Sequence, residues 1–390
     1  MTELLPFFIV LFAGLFFSEV FSRLHLPWVV ALILAGVFIG PFGLDLFTPN
    51  ATLEFLGEIG LVFLMFMAGL EIKLSIFKES RGGVFTLSFL NSVVPFLVGF
   101  GIGWFMGYGM ATSLLLGIVF ISSSIAVVIP SLEVNNVLRS KLGRSIVGAT
   151  IIEDVLSLVL LSVLLQTVSP AARLPLPLFY SLLFLTVFIL RWVIIKVRAH
   201  FAGHDHVDIF QQEFRSIFVI LIGTVVSFQL LGLHPIVAGF FAGLVLSESI
   251  TSVVLKEKLR AISYGIFIPI FFVIIGSKTN LGIFSQTSGV LLVTLMIVVG
   301  SMGAKFLSGF TAGKIGKLPN SQSALMGLAT MPQLSTTLAV VFAGSALGIF
   351  DQTLITAMVI LSIVTTFFSP LLIKVAVRYI RPETLYVTSK

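Results

Sequence analysis

Gly148-Ala149-Thr150-Ile151-Ile152-Glu153-Asp154-Val155-Leu156 sets two adjacent carboxylates in the middle of an apolar run that extends over about residues 143–166. A run of that length meets the roughly 20 residues that a helix needs to cross the hydrocarbon core of a bilayer. Each charge at such a depth costs roughly 2.5 to 3.5 kcal/mol on insertion scales, so acids there need a compensating role. Neighbouring helical residues point about 100° apart. The two acids therefore cannot share one environment, and the expectation is that one faces a protein partner while the other faces an aqueous cavity.

The rest of the chain has the same character. Its 390 residues are 57% hydrophobic and 10% charged, with a mean hydropathy of +1.15, which excludes a soluble globule. Cysteine is absent, so disulfides, zinc–thiolate sites, iron–sulfur clusters and cysteine nucleophiles are excluded. No phosphate loop, hydrolase serine motif or metalloprotease motif is present, and no cofactor is expected. Thirteen spans are expected, at about 4–21, 27–42, 53–71, 84–107, 111–132, 143–166, 176–198, 214–231, 234–249, 259–276, 288–310, 321–347 and 353–379. The first has Glu3 before it instead of a basic segment and no small-residue cleavage site after Phe21, so it is expected to stay as a helix.

Lysine and arginine fall mostly on one side of this arrangement: Arg23, Lys78, Arg139, Arg144, Arg215, Lys256, Lys314 and Arg378 are examples, against Arg173 and Lys278 on the other. The net charge of +6 is thus a topology signal rather than a nucleic-acid patch. By the positive-inside rule Met1 lies outside and Lys390 in the cytoplasm of a plasma or inner membrane. An odd count divides into six helices, a linking helix and six helices of opposite orientation, the arithmetic of an inverted repeat. Span five contains Ser122, Ser123, Ser124 and Pro130. Span twelve contains Thr330, Pro332, Gln333, Ser335, Thr336 and Thr337. Proline removes a backbone donor, and unpaired carbonyls are tolerated at mid-membrane only where they line a cavity. Two breaks in matching positions point to a binding site at the midplane; two kinked packing helices are the plainer alternative.

Lys305, in Gly303-Ala304-Lys305-Phe306, is deep in span eleven and is the expected ion-pair partner of the acids, with a purely structural triad as the alternative. Carboxylate oxygens bind alkali cations and also titrate, so a site that holds either a cation or protons can exchange one for the other. Glu58 and Glu71 are read as helix-end anchors, Arg191 as snorkelling to headgroups, and His204, Asp205, His206 and Asp208 as a solvated loop. The spacings Gly36/Gly40 and Gly239/Gly243 indicate close helix packing.

Four phrases in order carry a family resemblance: Leu61-Val62-Phe63-Leu64-Met65-Phe66-Met67-Ala68-Gly69-Leu70-Glu71, the acidic segment 148–156, Pro235-Ile236-Val237-Ala238-Gly239-Phe240-Phe241-Ala242-Gly243-Leu244, and Pro269-Ile270-Phe271-Phe272-Val273-Ile274-Ile275-Gly276. Over essentially its whole length the chain resembles the cation:proton antiporter-2 family, which includes bacterial Na+/H+ antiporters and Kef-type K+ efflux transporters. The resemblance implies an all-α antiporter fold with two broken crossing helices, a homodimer, and elevator-like movement of a core (84–166 and 288–379) against a dimer domain (4–71 and 214–276), with linking helix 176–198 and a short cytoplasmic tail, 380–390. It implies that Asp154 carries the ion, that Glu153 occupies the preceding position, which is Asp, Asn or Gln in other members, and that Lys305 pairs with it. Ser123 and Ser124 match hydroxyl positions near the ion, and Thr330, Gln333 and Ser335 are candidate contributors from the second crossing. Where many members have Pro-Arg-Gly-Glu, this chain has Pro332-Gln333-Leu334-Ser335. Kef-type chains continue into a cytoplasmic nucleotide-binding domain, for which no counterpart follows Arg381-Pro382-Glu383 in this sequence. The expected activity is exchange of Na+ or K+ for protons. A Kef-like K+ efflux system and a non-transporting membrane sensor are the alternatives.

Overall fold

In a computed structural model, residues 4–23, 27–71, 81–168, 212–230, 234–247, 250, 252–286 and 289–380 are described, with isolated helical positions between 178 and 196. Among these residues there is helix and no strand. In chain order the helices are α1 (Leu4–Ser22), α2 (Trp28–Ile39), α3 (Ala51–Glu71), α4 (Arg81–Phe105), α5 (Met110–Ile121), α6 (Ile125–Val134), α7 (Lys141–Val168), α8 (Gln212–Leu230), α9 (Pro235–Ser247), α10 (Val253–Ile262), α11 (Ile268–Ser277), α12 (Ile283–Gln286), α13 (Val290–Ile315), α14 (Asn320–Ala329), α15 (Ser335–Ala346) and α16 (Gln352–Arg378). Each expected span except the seventh meets one of these helices or a consecutive pair. The seventh, 176–198, lies outside the described residues apart from the isolated positions, as does the loop bearing His204 to Asp208.

The tenth span differs most, beginning at Val253 instead of 259. Lys256, Glu257, Lys258 and Arg260 read as a loop, yet Leu255 and Leu259 are buried one turn apart while the charges turn outward. The Ser252 hydroxyl starts the helix by accepting from the Leu255 N–H at 3.3 Å. Farther along, Ser263–Phe267 forms a π-helical turn between α10 and α11. Pro269 supplies a local reason, because it has no N–H to give the Gly265 carbonyl and the regular ladder is interrupted there.

The chain forms two compact units. One holds the start of α1, α3, and α8 to α11 as far as Ile274. Its centre is α3 against α9. Leu61 to Met67 are all buried, a face-free pattern that only a helix surrounded by protein tolerates. Contact is close because glycines remove the intervening Cβ atoms. A Cβ on Gly243 would collide with the Phe66 carbonyl oxygen, one on Gly69 with the Phe240 carbonyl oxygen, and one on Gly239 would lie 2.7 Å from the Val62 oxygen. Glu71 closes α3 by pairing with Arg260 at 3.0 Å.

The other unit holds α2, α4 to most of α7, and everything from Ile275 onward. It is built twice on one plan. In the α4–α5 hairpin Gly99 lies against Gly117 and Gly103 against Ser113; in α13–α14 Gly309 lies against Gly327 and Gly313 against Ser323, every partner displaced by 210 residues. The intervening turns repeat as well. Tyr108 N donates to Gly103 O and Leu318 N to Gly313 O, both at 3.0 Å, after residues of positive φ, Gly107 and Lys317. Following the broken helices, Asn136 and Gly348 have φ values of 58° and 66°, and Val137 N→Leu132 O matches Ile349 N→Gly344 O at 2.8 Å. The paired breaks expected from the sequence thus lie in two matching segments, α4–α6 and α13–α15, whose turns repeat one another. The breaks themselves, 122–124 between α5 and α6 and 330–334 between α14 and α15, fall where the hydroxyl clusters lie.

The glycine contacts generate a paired test. Gly243→Ala forces α3 and α9 apart and is expected to cost about 1–3 kcal/mol, read as a lower melting temperature of the purified protein. Gly223→Ala, on α8 with nothing within 4 Å of the added carbon, is expected to leave the melting temperature unchanged or slightly raised. Equal effects would contradict the packing account.

Candidate functional site

Unwinding at the two breaks frees backbone groups that α-helices otherwise consume, and the two segments use one another to satisfy them. Ser124 N donates to Pro332 O at 2.6 Å, and Ser123 Oγ lies 2.8 Å from Thr330 O. The Ser122 and Thr337 hydroxyls are 2.8 Å apart, and Gln333 N donates to Thr365 Oγ1 on α16 at 3.1 Å. At the C-terminal end of α5 two orphan carbonyls remain. Gln333 Nε2 donates to Phe120 O at 3.3 Å and to Ser301 Oγ at 2.9 Å, while the Lys305 ammonium takes Ile121 O. A cation at a helix C-terminus is also favoured by the helix dipole.

Lys305 is fully buried, as is Glu153. Their ion pair is 2.8 Å long. The ammonium also donates to Ser123 Oγ at 2.9 Å and faces Asn91 O at 3.4 Å. That carbonyl is available because Pro95, four residues later inside α4, has no N–H to reach it. Asn91 Oδ1 accepts from the hydroxyl of Ser308, one turn beyond Lys305, so the same asparagine also braces α13. Ser123 Oγ lies 2.6 Å from Glu153 Oε2. With one proton to give, the hydroxyl donates either to that carboxylate or to Thr330 O while it accepts from Lys305.

Asp154 has a different setting. It is 2% exposed. The Thr336 hydroxyl, on the first turn of α15, and the Ser123 backbone N–H face its carboxylate. Its Oδ1 has no hydrogen-bond partner, and neither has the hydroxyl of Ser124, the residue before α6. Both lie beside helix N-termini, where partial positive charge favours a carboxylate. The arrangement can therefore do two things at once: a paired Glu153–Lys305 neutralises one charge, and an unspent carboxylate oxygen stays free to take a proton or a cation.

All eight residues expected at the site belong to this crossing, but their parts differ. Ser123 is spent on the ion pair and the Thr330 carbonyl, so it is a brace; Ser124 keeps a free hydroxyl. Thr330 contributes its carbonyl, its own hydroxyl turning back to Gly327 O at 3.1 Å and Met326 O at 3.3 Å. Gln333 caps α5, and Ser335, buried, begins α15. Glu153 faces a protein partner, Lys305, while Asp154 keeps one oxygen without a hydrogen-bond partner. Asp154 is expected from the sequence to face an aqueous cavity; in this structure it is buried, 2% exposed, with Thr336 of α15 and the Ser123 N–H facing it. Asn91, Ser301, Ser308, Thr336 and Thr365 were not assigned from sequence. Asn91 had a signal, an amide in an apolar span four residues before a proline; Thr336 had one in the hydroxyl run of span twelve.

Comparison with known proteins agrees with this geometry. The family model described as "Sodium/hydrogen exchanger, transmembrane" matches residues 7–378. A Methanocaldococcus jannaschii protein named "Probable Na(+)/H(+) antiporter 3" is 31% identical over 94% of this chain and 95% of its own length. An Na(+)/H(+) antiporter of Enterococcus hirae is 27% identical over 94% and 96%, and the Na(+)/H(+)-K(+) antiporter GerN of Bacillus cereus is 25% identical over 90% of each. Among solved structures, the sodium proton antiporter MjNhaP1 from M. jannaschii superposes with a TM-score of 0.65 at 17% identity, covering 95% of this chain and 94% of that one, which shows a shared fold. The helical repeat, the paired breaks and the family match over nearly the full length converge: this chain belongs to the sodium/hydrogen exchanger family of multi-pass membrane proteins.

Proposed function

We propose that the chain is a secondary antiporter that exchanges a monovalent cation, Na+ or K+, for protons, with Asp154 as the group that carries either. The observation that carries this reading is the unpartnered Asp154 Oδ1, on a buried carboxylate next to Glu153, whose Oε2 is taken by Lys305 while its Oε1 is also without a partner. Ser124 Oγ, which has no partner, and the Thr336 hydroxyl are candidates to complete the oxygen shell of a partly dehydrated ion, and carboxylate with hydroxyl oxygens suits hard cations. Potassium stays within the proposal because the similar Bacillus cereus protein is named for both ions. No cofactor is needed.

In the same proposal α4–α7 and α13–α16 form a core that moves as one body, elevator-like, against a dimer domain containing α3 and α8–α11, in a homodimer. The hydrogen bonds shared between the two breaks favour rigid movement of the crossing over movement within it. The amino terminus lies outside and Arg139, Lys314 and Arg378 face the cytoplasm.

Asp154→Asn is isosteric and cannot titrate, so cation-coupled proton flux in proteoliposomes is expected to fall to background while the melting temperature stays near that of the parent. Substantial residual coupled flux would sink the assignment. Orientation has its own check, since the chain lacks cysteine. A thiol reagent that cannot cross membranes is expected to label Gly109→Cys in intact cells and Arg139→Cys only after permeabilisation. The reverse pattern would invert the topology.

A further inference from the structure

A cavity of about 420 Å³ opens between the start of α2, α6 and the second half of α16. Two prolines shape it. Pro130 in α6 and Pro370 in α16 both line it, as do Ala126 and Thr366, whose carbonyls those prolines leave without an i+4 donor. From Lys374 the cavity runs up α16 to Thr366, roughly 12 Å at the helical rise. It ends against Leu334, the last residue of the second break.

Its chemistry is lopsided. Val29, Val127 and Leu334 give apolar walls, and Lys374 is the one charged residue among the described residues that line it. The Ser131 hydroxyl is committed to Val127 O at 2.6 Å. The Thr366 hydroxyl, fully buried, has no partner. The mouth is bordered by apolar side chains that are themselves exposed, Trp28 at 41%, Leu371 at 50% and Val134 at 81%. That exposure continues along α16 through Phe367, Phe368 and Val375. In a chain that crosses a bilayer, such a flank meets lipid tails. A cation is a poor occupant, since Lys374 repels it and the walls offer few oxygens. A small hydrophilic anion would waste some 12 Å of apolar wall. An amphiphile with a negative head and an alkyl tail uses both features.

We propose that this cavity binds one anionic phospholipid of the cytoplasmic leaflet, its headgroup paired with Lys374 and one acyl chain running inward to Leu334. The leaflet assignment rests on the orientation proposed above, and the negative surface of that leaflet supplies the ligand at high local concentration. Because Leu334 adjoins Gln333, which caps α5 within the crossing, a seated tail bears directly on the exchange site.

The probe is quenching of Trp28. Trp104 and Trp192 are exposed, so a Trp104→Phe, Trp192→Phe protein keeps Trp28 as the remaining one of three tryptophans. In phosphatidylcholine micelles or liposomes, brominated phosphatidylglycerol is expected to quench it half-maximally at a several-fold lower mole fraction than brominated phosphatidylcholine. Lys374→Gln is expected to erase that difference, Val127→Phe to remove it by filling the cavity, and Arg378→Gln, outside the lining, to keep it. Equal quenching by the two lipids, or a preference that survives Lys374→Gln, would overturn the proposal. Native mass spectrometry of the unaltered chain reads the same preference as a retained phosphatidylglycerol adduct. Its absence would likewise overturn the proposal. Neither readout involves transport, so failure of lipid binding and failure of the exchange reading are separately visible.

Discussion

A lysine with no access to water has to be given acceptors, and much of this architecture is the supply of them. Lys305 receives a carboxylate from Glu153, a hydroxyl from Ser123, and carbonyls from Ile121 and Asn91. Both carbonyls are made available by a local departure from regular helix. Ile121 is released by the unwinding of 122–124 and Asn91 by Pro95. Removing one member of a buried pair typically costs about 3–5 kcal/mol, because the remaining charge is stranded. Desolvation offsets much of what the intact pair contributes, so its value is better understood as specification: it fixes where α13, α7 and the first break meet.

Once that pair is fixed, the neighbouring residue is forced into its role. Asp154 follows Glu153 on the same helix and points about 100° away, so it cannot join the lysine. It lands instead beside the N-terminal ends of α6 and α15, where dipoles and the Thr336 hydroxyl favour a negative group without satisfying it fully. On the proposed exchange reading, pairing and vacancy in adjacent residues would let a single carboxylate alternate between proton and cation without leaving a second bare charge in the membrane.

The sequence made the large features legible because they rest on patterns of long range and high cost. Buried charges are expensive, so Glu153, Asp154 and Lys305 stood out, and prolines with hydroxyls at mid-span marked both breaks. What it hid was local. The repeat of Gly99, Gly103 and Ser113 by Gly309, Gly313 and Ser323 is invisible to hydropathy, since glycine and serine score alike wherever they pack. Asn91 was passed over because its decisive group is a backbone carbonyl, and a sequence names side chains. The tenth span was started late because four charges in five residues outweighed Leu255 and Leu259, although an amphipathic first turn at a membrane surface accommodates both. Gln333 stands where many members of the resembled family have arginine; in place it caps α5 by hydrogen bonds alone.

The central claim is that Asp154 gives up a proton to take a cation. It is tested most directly by calorimetric titration of the purified protein with Na+ in buffers of different ionisation enthalpy, which counts protons released per ion bound. The account predicts that cation binding in the parent releases protons and that Asp154→Asn shows neither binding nor release. Cation binding without proton release in the parent, or undiminished binding and release in Asp154→Asn, would contradict it.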